Sequence, residues 1–126
     1  MKKKILIFDD DDDFLSITTK VLSQIGKFEV VPSDDSSDAM ELIRRTKPDL
    51  LLLDIMMPKV DGFTICKNVK DAEDLKHIKI IVYSAKIFDV DRKKALKLGA
   101  DAYVSKVIES NKLIDTIHQV LGMPQS

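Results

Sequence analysis

Disulfides, long apolar runs and an excess of either charge are all missing from this chain. One cysteine, Cys66, stands among 126 residues, so no internal disulfide can form. The fold must then rest on its apolar core, and a reducing, cytoplasmic setting is expected. Cys66 itself reads as a small packed side chain. The longest uninterrupted apolar runs are Ile5 to Phe8, Leu50 to Leu53 and Ile80 to Tyr83. Each is far short of the roughly 20 residues that span a bilayer. The basic start, Met1 to Lys4, meets Asp9 after four apolar residues, where the apolar part of a signal peptide needs about 7–15. Neither a membrane span nor export is expected. With 20 Lys plus Arg against 21 Asp plus Glu, the net charge is -1. That balance excludes a surface that tracks nucleic acid or anionic lipid throughout, because such partners reward a basic excess.

What is present is globular. A hydrophobic fraction of 44% beside a charged fraction of 33% can offset the ordering entropy of one domain. The apolar residues alternate between two patterns. Ile5 to Phe8, Leu50 to Leu53 and Ile80 to Tyr83 are continuous, as in central parallel strands covered on both faces. Ala102 to Val104 makes a shorter strand. Phe28 to Val31, broken by Glu29 and closed by Pro32, is placed at an edge, where a missing backbone donor is tolerated. Between these lie helical stripes. Phe14, Ile17, Val21 and Ile25 form the first, stopped by Gly26, a residue suited to a left-handed stop. Ser37 is expected to cap a second through Ala39, Met40 and Ile43, ending before Pro48. Phe63, Cys66 and Val69 give a third. Ile87, Val90, Ala95 and Leu98, stopped by Gly99, give a fourth, and Leu113, Ile117, Val120 and Leu121, stopped by Gly122, a fifth. Five repeats of strand then helix predict an α/β, doubly wound single domain over residues 1–122, with a tail at 123–126 and right-handed crossovers.

In open parallel sheets, ligands bind beyond the carboxyl ends of the strands. There the first strand runs into five aspartates, Asp9 to Asp13, and the third ends in Asp54. A flavodoxin-like strand order, 2-1-3-4-5, brings Asp9, Asp10 and Asp54 together. Two carboxylates about 4 Å apart repel by roughly 4 kcal/mol at an effective dielectric near 20, so three call for protons or a cation. Mg²⁺, with its preference for oxygen ligands and retained waters, suits such a shallow acidic mouth. Asp11, Asp12 and Asp13 read instead as the start and cap of a helix. Ser84 at the end of the fourth strand and Lys106 just after the fifth reach the same rim. Acids, a cation, a hydroxyl and an ammonium together describe phosphoryl transfer to a carboxylate. Taken singly, Ser84 would be a turn residue and Lys106 a solvated lysine. His77 and His118 lie away from the mouth and carry no chemistry. The basic run Arg92, Lys93, Lys94 and Lys97 reads first as a solvated helix face.

The segments ILIFDDD at Ile5 to Asp11, LLLLDIMMPKVDGF at Leu50 to Phe63, IIVYSA at Ile80 to Ala85 and LGADAYVSK at Leu98 to Lys106 resemble the CheY-like receiver domains of two-component response regulators. The resemblance implies that Asp54 is the phosphoacceptor. It also implies that Asp10, Asp54 and the Met56 backbone carbonyl are direct Mg²⁺ ligands, and that Asp9 acts through bound water. Ser84 and Lys106 would contact the phosphoryl oxygens, and Tyr103 would be the aromatic switch residue, turning inward as Ser84 moves. The implied partners are a sensor histidine kinase or histidine phosphotransfer protein, and an output domain or target met by the fourth helix, fifth strand and fifth helix. The domain itself would contact neither nucleic acid nor membrane, and it would be a switch without a turnover substrate. One position departs from the family. Val107 stands where proline usually follows the lysine, and because a cis bond before a non-proline costs about 2.5–4 kcal/mol, a trans Lys106–Val107 peptide is expected, with the reach of Lys106 in question. Two alternatives stay open: a haloacid-dehalogenase-like phosphatase using Asp9 as nucleophile, since Asp9 and Asp11 satisfy a D-x-D pattern, and a receiver-like interaction module that is never phosphorylated.

Overall fold

The apolar runs become strands because β-branched and leucine side chains fill both faces of a pleated layer. In a computed structural model that describes residues 2–85 and 88–124, the strands are Lys4–Phe8 (β1), Glu29–Ser33 (β2), Leu50–Asp54 (β3), Lys79–Ser84 (β4) and Ala102–Ser105 (β5). All pairs are parallel and the order is β2-β1-β3-β4-β5, as expected from the sequence. The helices are Asp12–Lys20 (α1), Ala39–Thr46 (α2), Gly62–Asp71 (α3), Asp89–Lys97 (α4) and Ser110–Leu121 (α5).

Strand alternation divides the core in two. Ile5, Ile7, Leu50, Leu52, Ile81 and Tyr83 pack with Leu15 and Leu22 of the first helical segment and with Leu113, Ile114 and Ile117 of α5. Leu6, Phe8, Leu51, Leu53, Ile80 and Val82 pack against α2, α3 and α4. Every residue of Ile5–Phe8 and Leu50–Leu53 has no exposed surface. At about 1.5–3 kcal/mol for each large side chain fully buried, these central strands carry much of the folding free energy.

Several local expectations are corrected. Ile17 and Ile25 are exposed, at 62% and 66%, while Leu15, Thr18 and Leu22 face the sheet. Phe14 and Val21 of the expected stripe are half-buried against the same core, so the face on the sheet is centred on Leu15, Thr18 and Leu22 rather than on Ile17 and Ile25. The last turn of the segment, Val21–Ile25, is π-helical. Gly26 is right-handed, at φ -75, and Lys27 takes the left-handed position at φ 60. The need at Gly26 is for space, since a Cβ there would lie 2.8 Å from the Leu22 carbonyl oxygen and the Phe28 ring. Gly99 (φ 106) and Gly122 (φ 70) are left-handed stops as expected. Pro32 lies inside β2, opposite Ile7, and the strand runs one residue further; an edge strand accommodates this because one side needs no partner. Ser37 does not cap α2. Its hydroxyl donates to Asp35 Oδ1 at 2.6 Å, and Asp38 occupies the cap position without a side-chain bond. In α4, Val90 is 76% exposed and Ala95 is buried. Ile87, assigned to the same stripe, lies outside the described residues. His77 is exposed, and His118 packs edge-on against Phe28 with ring centroids 5.6 Å apart.

Candidate functional site

The period of two that sorts the core also sorts the rim. Continuing Ile5 and Ile7 by two residues places Asp9 on the face of α1 and α5; continuing Leu50 and Leu52 places Asp54 there, and Ala102 and Val104 lead to Lys106. The register sets Phe8 beside Leu53 and Asp54 beside Tyr83, so the acids of adjacent strands emerge side by side. Ser84 falls on the other face with Val82, near Tyr103, which packs against the core on that side.

Lys106 is the centre of this geometry. Its Nζ lies 3.0 Å from Asp9 Oδ2 and 3.0 Å from Asp54 Oδ2, above the rings of Phe14 and Tyr83 at 4.8 and 5.1 Å from their centroids. Asp9 is wholly buried. Its Oδ2 also accepts from the Tyr83 hydroxyl at 2.7 Å, and its Oδ1 accepts from the Asp11 amide at 2.9 Å. Asp54, 4% exposed, accepts from the Met56 amide at 3.0 Å through Oδ1. Asp10 is exposed. One carboxylate oxygen from each of Asp9, Asp10 and Asp54 lies within 4.8 Å of the others. Three such groups facing one ammonium leave an excess of negative charge, which fits a hard divalent cation held by oxygen. Asp54, Met56, Ser84 and Lys106 border an open cleft together with Phe88 and Asp91.

Burial pushes the Asp54 carboxyl above its ordinary value; the Met56 amide and Lys106 oppose the rise, and the Asp9 charge adds to it. For Lys106 burial acts downward, but the bonds to Asp9 and Asp54 prevail and hold the ammonium above its ordinary value. Burial also raises the Tyr103 phenol, against a hydrogen bond with Ser84. The Tyr83 phenol is driven far up by burial and then by Asp9, so it is a neutral donor.

The loops around the site follow from their residues. Asp11 caps α1 by accepting from the Phe14 amide at 3.1 Å, with Asp12 and Asp13 in the first turn, as expected. Asp61 caps α3 through the Thr64 amide at 2.9 Å. Gly62 is required by close approach, because a Cβ there would meet the Asp54 carbonyl oxygen at 2.6 Å and the Ile55 Cα at 2.9 Å. No peptide bond is cis among the described residues, so Lys106–Val107 is trans as expected, and Lys106 reaches both acids nonetheless. Phe14 and Tyr83, expected only as helix and strand residues, were not expected at the site. The signal for Tyr83 was available: a tyrosine within a continuous apolar strand must find a partner for its hydroxyl.

The family model for the response regulator receiver domain matches residues 5–118. The chain is 39% identical to the probable transcriptional regulator ycf27 of Guillardia theta over 95% of its own length and 46% of that protein. It is 31% identical to the polar-differentiation response regulator DivK of Brucella anthropi, over 97% of this chain and 98% of DivK. The crystal structure of a putative response regulator from Chloroflexus aurantiacus superposes with a TM-score of 0.90 at 28% identity, covering 97% of this chain and 99% of that one. The chain belongs to the receiver domains of two-component response regulators, a family of signalling proteins. It spans about half the length of ycf27. No helix among the described residues is long and apolar enough to cross a membrane.

Proposed function

We propose that the protein is a phospho-accepting switch in which Asp54 takes a phosphoryl group from a histidine kinase, a histidine phosphotransfer protein or a small acyl phosphate. The observation that carries this reading is Lys106, held 3.0 Å from both Asp9 and Asp54 at the mouth of the cleft. An ammonium placed there is close enough to neutralise charge on an incoming phosphoryl group. Asp54 borders the open cleft, whereas Asp9 is sealed beneath Tyr83 and Lys106, which favours Asp54 over Asp9 as nucleophile. One Asp54 oxygen attacks phosphorus, the P–N bond to the donor imidazole breaks, and a carboxyl-phosphate bond forms. Asp9, Asp10, Asp54 and the Met56 carbonyl would hold Mg²⁺, which supplies charge neutralisation for the transferring oxygens.

A phosphoryl group adds about -1.5 to -2 charges and strong acceptor oxygens. Ser84 would turn to one of these oxygens and Lys106 to another. Because Ser84 is hydrogen-bonded to Tyr103, drawing it toward the phosphoryl group reorganises β5 and α4 at the same time. Shifting a two-state face from 1:99 to 99:1 takes roughly 5.5 kcal/mol of differential interaction, which a few charge-assisted hydrogen bonds can supply. The responding surface would be α4, β5 and α5, read by an output domain or target protein in the cytoplasm. We take residues 1–122 as the receiver unit and 123–126 as its tail, with catalysis limited to its own phosphorylation and dephosphorylation.

Intact-mass analysis with Mg²⁺ and acetyl phosphate tests this reading. One hydroxylamine-labile phosphoryl group, lost in Asp54→Asn, is the expected result. A group that survives Asp54→Asn and disappears in Asp9→Asn would make Asp9 the nucleophile. A chain that takes no label at all would be an interaction module.

A further inference from the structure

Asp9 and Tyr83 are 74 residues apart in sequence and share a buried hydrogen bond, 2.7 Å from the phenol to Asp9 Oδ2. Asp9 has no exposed surface and Tyr83 only 2%. The two oxygens of Asp9 are used unequally. Oδ2 accepts from Tyr83 and Lys106, while Oδ1 accepts from the Asp11 amide. A carboxylate has about four acceptor directions, and three of those on Asp9 are taken by these donors. A buried side chain with one oxygen clamped by two donors cannot rotate to present the other way. The ring of Tyr83 is itself fixed, by Phe14 at 5.7 Å between centroids and by burial among Ile81, Leu113 and its neighbours.

We propose that Tyr83 is a positioning residue that locks the Asp9 carboxylate in its place beside Asp10 and Asp54, and that it thereby sets the affinity of the acidic mouth for Mg²⁺. This rests on the phospho-acceptor reading only for its biological use; the binding claim stands on the hydrogen bond. Carboxylates near metals act through partners of this kind, whose loss typically costs roughly 10–100-fold in affinity or activity. The tyrosine also divides labour with Lys106. While the phenol holds Oδ2, Lys106 can leave Asp9 for a phosphoryl oxygen without stripping that oxygen of its last donor.

Tyr83→Phe deletes the hydroxyl and keeps the ring over Lys106. Isothermal titration with Mg²⁺ should show the dissociation constant raised about tenfold. Acetyl phosphate labelling should fall at sub-saturating Mg²⁺ and recover at saturation. A change in Mg²⁺ affinity of less than threefold overturns the proposal, as does a wild-type protein that binds no Mg²⁺ at millimolar concentration. Should the variant fail to fold, the wild type decides the matter. With two tyrosines in the chain, ¹³Cζ labelling gives two signals. The Tyr83 signal must shift with the same Mg²⁺ dependence as the calorimetric binding, and a signal that stays fixed through saturation refutes the lock. If Mg²⁺ affinity depends on Tyr83 while Asp54 is never phosphorylated, the phospho-acceptor reading fails and this inference holds. Labelling of Asp54 with an affinity indifferent to the Tyr83 hydroxyl gives the reverse.

Discussion

The body of the sheet and its carboxyl rim are built by the same strands, one residue apart, and obey opposite physics. In the body, Leu50 to Leu53 have no exposed surface and pack within the two apolar clusters. At the next residue, Asp54, the same strand buries a carboxyl against a second carboxyl and a lysine. The body is redundant, since many similar contacts share the burden. The rim is not, because Asp9, Asp54 and Lys106 each depend on a few specific partners. Stability is therefore expected to reside below Asp54 and chemistry at and above it.

Substitutions at the two levels should break the molecule in different ways. The largest effect is on chemistry: Asp54→Asn should abolish acetyl phosphate labelling while circular dichroism shows an intact fold. Next, Leu52→Ala, a deletion in the fully buried body, should cost about 2–5 kcal/mol in denaturant unfolding, with the folded fraction still labelled. Gly62→Ala sits at the boundary. Its Cβ would press on the backbone of Asp54 and Ile55, so a loss of about 1–3 kcal/mol in the same unfolding measurement should come with weaker labelling. Equal labelling per folded molecule would place Gly62 with the body.

A smaller effect is expected with pH. The folded Asp54 carboxyl stands above its ordinary value of 3.8. Between that value and its raised folded value the native chain holds a proton that the unfolded chain has lost. Stability without metal should then fall as pH rises through this window, and melting curves of Asp54→Asn should lack that component. The exposed carboxyls of Asp35 and Asp74 are lowered, the first by Ser37 and the second by Arg44. Their contribution has the opposite sign, present above the ordinary value and lost as pH falls through the lowered one. The smallest effect is an absence of reaction. Burial pushes the Cys66 thiol to about 11, so the native protein should resist Ellman's reagent at pH 8 until it is denatured. Rapid modification of the native chain would show that the body opens at α3.

Much of this division was legible in the order of residues. Asp9, Asp54, Ser84 and Lys106 each follow an apolar run, and a parallel sheet with adjacent first and third strands brings such positions to one rim. The helices were less legible. In the first helical segment Phe14 and Val21 of the expected stripe pack against the core while Ile17 and Ile25 are exposed, because spacing reports that a helix is amphipathic and not how it is rotated on the sheet. In α4, exposed Val90 and buried Ala95 invert the expected importance of large and small side chains. Ala95 is suited to a close approach of helix to sheet, and only the packed neighbours reveal that approach.

Strand period, strand order and the residue just past each strand are local or topological properties, and the amino-acid order was sufficient for them. The bond from Tyr83 to Asp9, the shared grip of Lys106 on two acids with a trans bond to Val107, the demand for glycine at position 62 and the buried face of α1 were decided in three dimensions. Each depends on contacts between side chains or backbone brought together across elements, within a few tenths of an ångström, and no pattern along one element carries that information.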